Sequence, residues 1–324
     1  MELQNKTLCF LGDSLTASGV YPQEIRAYFK NNGINCRVFN RGLGGNRASM
    51  VQYLLEEEIY WLKPDYVFFT FGANDMGVWL YDSQKSVTPE LLEERNKRNQ
   101  VYYASMEQTI TLLKEKGITP IVMSPFAMDE LLTEYEDIET VKDNKEKADY
   151  IGPSFYKRAT FRSLNTALKE YSENLKTIAK KRGVQFCDLF TDSYQKHLKV
   201  NGMFGPDGVH LTEKGCRVAT KSILSFLGFT DFSEEKFAIS KAMEEYRELE
   251  DLERSVQYLP WALCSPYFGD RTEKDIRKSA ETFLQDEKAS KHLKKVSKAF
   301  IEHRANIKDL QKRLYQANEK LMKD

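Results

Sequence analysis

A chain of 324 residues with 41% hydrophobic content, including 19 Phe and 17 Tyr, is long enough to bury a large core and too apolar to be disordered. Its 48 basic and 48 acidic residues cancel, which removes bulk charge as a reason to bind nucleic acid or an anionic membrane. No apolar run reaches the roughly 18 residues that a membrane-spanning helix needs.

Thr7–Leu11 is a short apolar run of the kind that forms a buried parallel strand, and it leads into Gly12-Asp13-Ser14-Leu15. Pro22 and Glu24 then open a first helix. Asn35–Asn40 is a second strand, running into Arg41-Gly42-Leu43-Gly44-Gly45-Asn46-Arg47-Ala48 and an amphipathic helix through about Glu58. Tyr66–Phe71, the most apolar run of the chain, is a third and central strand ending in Gly72-Ala73-Asn74-Asp75. A long helix spans 90–116, with Pro89 near its start and Gly117 at its end, before a fourth strand at Ile118–Met123. Residues 127–158 read as an acidic insertion over one end of the sheet. A helix over about 160–182, closed by Gly183, precedes a fifth strand at Val184–Leu189. Pro206-Asp207-Gly208-Val209-His210-Leu211 follows, and Thr212 caps a helix running to about Leu227. Five alternations of strand and helix call for an α/β domain over 1–230, with a five-stranded parallel sheet covered on both faces. The polar clusters then project from one edge of it, where open α/β sheets bind ligands.

From 231 to 324 the composition changes to a helical appendage. Its charged fraction rises: 19 basic and 18 acidic residues make 37 of the 92 in 233–324. Residues 234–259 are mostly acidic and 287–323 strongly basic. Leu293, Val296, Phe300, His303, Ile307, Leu310, Leu314, Ala317 and Leu321 follow a heptad seam. An antiparallel hairpin inside the chain is the expected use of that seam, and a homodimeric coiled coil is the alternative. The five scattered cysteines (Cys9, Cys36, Cys187, Cys216, Cys264) lack C-x-x-C spacing and read as buried free thiols. With a strand beginning so soon after Met1, no signal peptide fits and the expected location is the cytoplasm.

Ester hydrolysis by serine requires a hydroxyl, a base, a group orienting the base, and donors for the oxyanion. Ser14, leaving a strand for a helix, is the candidate nucleophile. Of four histidines, His210 alone lies in a glycine-flanked loop on the ligand side of the sheet; His197, His292 and His303 have helical explanations. Asp207, three residues earlier, can turn back onto the imidazole. Gly45 offers a backbone N–H with no Cβ in the way, and Asn74 a neutral NH₂; with the Ser14 N–H they make a three-donor hole. Met76, Trp79, Phe126 and Phe204 are candidate substrate contacts, Trp79 and Tyr81 forming an aromatic wall beside the donors or ordinary packing at the rim.

Gly12-Asp13-Ser14-Leu15, the glycines around Gly45, Gly72-Ala73-Asn74-Asp75 and Asp207-Gly208-Val209-His210 together resemble, in order and spacing, the four blocks of the SGNH hydrolases, the GDSL-type lipases and esterases. The resemblance covers about 7–228. It implies a three-layer α/β/α fold with a flavodoxin-like sheet, Ser14 as nucleophile, Asp207 and His210 completing a triad, and Gly45 and Asn74 as oxyanion donors. Two adjacent glycines leave Gly44 as the runner-up donor. No cofactor or metal is called for: Arg47 occupies the third glycine position of a dinucleotide fingerprint, and neither a Walker Gly-Lys-Ser/Thr nor a His or Cys pair at metal spacing occurs.

The expected activity is thus metal-free hydrolysis of a small acyl ester, favouring O-acetyl groups on a carbohydrate-like compound. Lysophospholipid or thioester hydrolysis is an alternative. So is an assembly protein that uses the helical tail to hold a partner. Tyr258-Leu259-Pro260-Trp261 or Pro266-Tyr267-Phe268 is expected as a loop able to roof the site.

Overall fold

The computed structural model describes residues 1–83, 85–130, 161–197, 202–205, 207–263 and 271–323. Most of the expected insertion at 127–158, the Pro266–Phe268 stretch, Cys264 and Pro206 lie outside the described residues. By compactness the described chain divides into one unit reaching to Ile239 and a second from Ser240 onward.

The first unit is built on five parallel strands: β1 (Lys6–Gly12), β2 (Cys36–Gly42), β3 (Tyr66–Thr70), β4 (Thr119–Met123) and β5 (Gln185–Cys187). Their order across the sheet is β2-β1-β3-β4-β5. This flavodoxin-like order reverses direction between β1 and β3, and ligands of such sheets bind outside the carboxyl ends there. β1 and β3 are central and fully buried, so Leu8–Leu11 and Val67–Phe69 are apolar on both faces instead of alternating. Gly12 stands opposite both Gly42 and Thr70. The three strands therefore stop in line and release their loops together.

Helices α1 (Ser14–Ala17) and α2 (Val20–Asn31) follow β1, α3 (Ala73–Met76) follows β3, and α4 (Pro89–Glu115) returns to β4. The unit continues with α5 (Leu164–Arg182), α6 (Leu189–His197) and α7 (Glu213–Phe226). One face is sealed by α2 and α7: Tyr21 meets Phe10 edge-on at 5.5 Å, and Phe226 meets Phe68 at 6.1 Å. Elsewhere α4 and α5 are joined by Tyr102 stacked on Tyr171 at 4.5 Å. The result is three layers, α/β/α. Cys9, Cys36, Cys187 and Cys216 are buried free thiols.

Three expectations change. No regular helix runs to Glu58; Ala48–Tyr53 is a 3₁₀ turn, Leu55–Ile59 a π turn and Tyr60–Leu62 a second 3₁₀ turn. The segment is held from outside at both ends. Asp75 takes the Ala48 N–H at 2.9 Å, and buried Arg41 pairs with buried Glu58 at 3.5 Å, so its pitch follows those anchors. Second, residues 231–239 belong with the sheet: Phe237 packs on Tyr28 at 5.5 Å, and Asn31 donates to the carbonyls of Lys236 and Ala238. Third, Tyr258–Trp261 is not a loop but the last turns of a helix. Pro260 lies inside that helix and has no N–H to give the carbonyl of Val256 four residues back.

The second unit contains α8 (Lys241–Leu263), α9 (Glu273–Gln285), α10 (Lys291–His303) and α11 (Ile307–Lys323). A capping box between Thr272 and Asp275 starts α9. Leu259, Ile276, Ala280, Val296 and Phe300 form one cluster, and Val256, Ala299 and Leu310 another. The acidic helix α8 thus packs on its basic successors within the chain. The seam is interrupted by a 3₁₀ turn at Arg304–Asn306, and beyond it Asn318 is buried in preference to Ala317.

Candidate active site

Ser14 is the first residue of α1, and its position depends on what its neighbours lack. A Cβ on Gly12 would lie 2.2 Å from Thr16 Oγ1, and one on Gly42 would lie 2.3 Å from the Ala17 nitrogen. Glycine at both strand ends lets α1 sit directly on the sheet edge. Asp13 caps α1 by accepting the Leu15 N–H at 3.0 Å. Burial pushes the Asp13 carboxyl up to about 6, although the Leu15 N–H and nearby His210 both pull it down.

His210 comes from the loop before α7, almost two hundred positions along the chain. Gly205 donates its N–H to the His210 carbonyl at 2.7 Å, Gly208 to Gly205 at 3.0 Å, and Asp129 to Gly208 at 2.8 Å, fixing that loop from two sides. The imidazole Nε2 is 2.9 Å from Ser14 Oγ, and its Nδ1 is 2.5 Å from Asp207 Oδ2. The other Asp207 oxygen accepts the N–H groups of Val209 and His210, each at 2.9 Å. Burial alone would raise Asp207, but the His210 hydrogen bond and charge and the two backbone donors hold it below the ordinary carboxylate range. Burial alone would likewise lower His210; the Asp207 bond and charge, with a smaller pull from Asp13, raise it instead. The predicted Ser14, Asp207 and His210 are therefore joined in one hydrogen-bonded chain.

Asn74, in α3, donates Nδ2 to the Asn46 carbonyl at 3.0 Å, which ties the turn after β3 to the loop after β2. Gly45 sits exposed in that loop at φ 78°, a left-handed conformation, whereas Gly44 does not. Asn46, buried beside it, donates toward the Gly12 carbonyl at 3.5 Å and accepts the Arg47 N–H at 2.9 Å. Asn46, Asp13 and Asp75 were given no role by sequence reasoning. Asn46 and Asp75 lie next to the assigned donors Gly45 and Asn74, which is the signal that could have found them.

The expected substrate contacts separate. Met76, Phe126 and Phe204 are buried and present no surface to a ligand. Phe126 instead packs toward Tyr21 at 6.3 Å, and Phe204 makes a backbone bridge to Leu211 that supports the His210 loop. Trp79 is 44% exposed. Its indole covers Gly77, where a Cβ would come within 3.2 Å of it, and the Arg98 guanidinium stands 5.2 Å from the ring centre. Tyr81 is buried under Arg95 at 3.9 Å. Among the described residues no group of three His, Cys, Asp or Glu side chains is placed to hold a metal ion.

A serine–histidine–aspartate chain at the switch point of a doubly wound sheet is the arrangement of an acyl-transfer hydrolase. Residues 10–218 match the model of the GDSL-like Lipase/Acylhydrolase family, and the chain belongs to that family. It is 24% identical over 200 residues to YqeF of Bacillus subtilis (strain 168), named an uncharacterized lipoprotein, covering 58% of this chain and 72% of that protein. No helix among the described residues is long and apolar enough to cross a membrane. In fold, the chain is similar to a gut microbial diltiazem-metabolizing enzyme, with a TM-score of 0.69 and 15% identity, over 98% of this chain and 96% of that one. A variant of an acetylxylan esterase from Geobacillus stearothermophilus aligns with a TM-score of 0.53 and 18% identity, over 72% of this chain and all of that one.

Proposed function

We propose that this protein is a serine esterase working through an acyl-enzyme. The observation that carries the reading is the relay from Ser14 Oγ through His210 to Asp207, at 2.9 and 2.5 Å. In it, His210 Nε2 takes the Ser14 proton as Oγ attacks the ester carbonyl. Asp207 holds the tautomer with the proton on Nδ1 and stabilises the imidazolium that forms. The carbonyl oxygen gathers charge and is received by the N–H groups of Ser14 and Gly45 and by Asn74 Nδ2. Each such donor is worth about 3–4 kcal/mol in the transition state. Collapse expels the alkoxide, which takes the proton back from His210, and water repeats the sequence on the acyl-enzyme. Of the two adjacent glycines, Gly45 is favoured as donor by its φ of 78°, which other residues adopt with strain.

The substrate we favour is an O-acetyl group on a carbohydrate-like alcohol. Support comes from the exposed indole of Trp79, five residues after Asn74 and packed against Gly77, and from the acetylxylan esterase among proteins of similar fold. The test is labelling with a fluorophosphonate, together with turnover of p-nitrophenyl esters of increasing chain length. Ser14→Ala should lose both labelling and turnover; a variant that still labels refutes the nucleophile. Acetate should be the best acyl group, and a preference for chains of about eight carbons or more would replace the acetyl-ester reading with a lysophospholipase-like one.

A further inference from the structure

The loops that carry Gly45 and Asn74 leave different strands, yet the donors they supply must converge on one oxygen. Two side chains cross between the loops. Asn74 Nδ2 reaches the Asn46 carbonyl at 3.0 Å, and the next residue, Asp75, accepts the Ala48 N–H on Oδ1 at 2.9 Å. Residues 46 to 48 are thereby gripped on both sides by consecutive residues of α3. The second Asp75 oxygen is buried and makes no hydrogen bond among the described residues. Water would satisfy an exposed carboxylate better, so its burial here costs stability that a role in the core alone does not explain.

We propose that Asp75 is a positioning residue for the oxyanion site: through the Ala48 N–H it holds the Gly45-bearing loop in register with Asn74, without touching substrate. The inference rests on the esterase reading above and deepens it. It accounts for a carboxylate in place of an amide, because an ionised acceptor binds an N–H more strongly than a neutral one. Charged and titratable groups around Asp75 come from several elements. Asp13 stands at the start of α1 and Arg47 in the gripped loop itself; α4 contributes Arg98, whose Nη1 donates to the Asp75 carbonyl at 3.3 Å, and α4 and α5 contribute the buried phenols Tyr102 and Tyr171. Burial pushes Asp75 up to about 7; the Ala48 N–H opposes that rise, Asp13 adds to it, and Arg47 opposes it again. The grip therefore tightens as pH rises through that value and loosens below it.

The test uses the full chain, with turnover of p-nitrophenyl acetate divided by the sites titrated with fluorophosphonate. Asp75→Ala should lower kcat per site by between about tenfold and a hundredfold with KM little changed, because positioning acts in the transition state. Asp75→Asn keeps an acceptor for Ala48 and should recover most of that loss, while removing one ionisation from the kcat–pH profile. Ala48→Pro deletes the donor alone. The extended Arg47 before it and the first position of a 3₁₀ turn both accept proline. It should match Asp75→Ala, and the double variant should be no slower than the worse single one. Amide exchange over 45–48 needs no turnover and should rise more in Asp75→Ala than in Asp75→Asn. Unchanged kcat per site, multiplying effects in the double variant, or unaltered exchange overturns the proposal. Absence of wild-type labelling at Ser14 would instead strike the nucleophile assignment, leaving the exchange result to decide whether the grip exists. Should Asp75→Ala not fold, Ala48→Pro and Asp75→Asn carry the same comparison.

Discussion

The sheet unit and the helical unit both bury polar side chains, but they satisfy them differently. At the sheet edge, Asp13 accepts from the Leu15 N–H, Asp75 from the Ala48 N–H, and Asp207 from those of Val209 and His210. In the helical unit, buried Glu250 meets the Tyr246 hydroxyl at 3.1 Å, Glu253 meets Gln311 at 3.1 Å, and Gln257 meets Arg304 at 2.6 Å. The reason lies in the backbone. Inside a helix each N–H is spent on a carbonyl four residues back, so a buried carboxylate must find another side chain. Where parallel strands stop, the loops still have N–H groups to give, and a carboxylate that takes one also fixes the loop's position. Backbone anchoring suits chemistry, because the donors move only if the chain moves. Side-chain anchoring suits helix packing, where it sets register between α8 and α11.

The largest expected effect separates backbone anchoring from charge at His210. Asp207→Asn should retain the acceptor for Val209 and His210 on one side of the amide but lose the charge facing Nδ1. Turnover should fall by about 10³–10⁴-fold, with Ser14 labelling slowed in parallel. The pH profile gives the sign. His210 must be neutral to take a proton, and it is raised above its ordinary 6.5 by Asp207 and Asp13. Wild-type kcat/KM should therefore fall as pH drops through a value above 6.5, and the residual activity of Asp207→Asn should hold to lower pH. An acid limb that stays in place would mean that Asp207 does not govern the imidazole.

Much of the sheet unit was legible because its signals are local. Uninterrupted apolar runs such as those containing Cys9–Leu11 and Val67–Phe69 read as strands buried on both faces, and polar clusters after them mark the edge. The order of those clusters carried the site. What stayed hidden depends on contacts between segments far apart in sequence. The stretch from Ala48 to about Glu58 looks amphipathic and helical, yet Asp75 and Arg41 dictate its pitch from other segments. Phe126 and Phe204 look available as aromatics near a cleft, but their burial is settled by Tyr21 and Leu211. In the tail, the heptad spacing located α10 and α11 but not the break at Arg304–Asn306, and composition alone did not reveal α9. The boundary placed at 230 missed Phe237, since an aromatic in a charged segment shows no periodicity of its own.

A smaller effect tests that boundary. Phe237 is sandwiched between Tyr28 and Arg217, whose guanidinium lies 4.2 Å from its ring, and Arg217 also bonds Glu24 and Glu234. Phe237→Ala should destabilise the sheet unit by about 3 kcal/mol in denaturant unfolding, through lost burial and a partly filled cavity. Ser14 labelling followed through the transition should lose its reactivity at correspondingly lower denaturant. If labelling persists to the wild-type midpoint, residues 231–239 are a surface strap rather than part of that unit's core.

The smallest effect on activity is expected from Phe300, which is fully buried between α8, α9 and α10. Phe300→Ala removes comparable apolar area, so the helical unit should lose about 3–5 kcal/mol. Among the described residues, the hydrogen bonds that fix Ser14, His210, Asp207, Asn74 and Asp75 are made within the sheet unit. Labelling rate per folded site and kcat on p-nitrophenyl acetate should therefore stay at wild-type values below the unfolding transition. A fall in either, with the sheet unit still folded by circular dichroism, would mean that the chemistry draws on the helical unit. The contrast between an edge that reacts and a bundle that only packs would then be wrong.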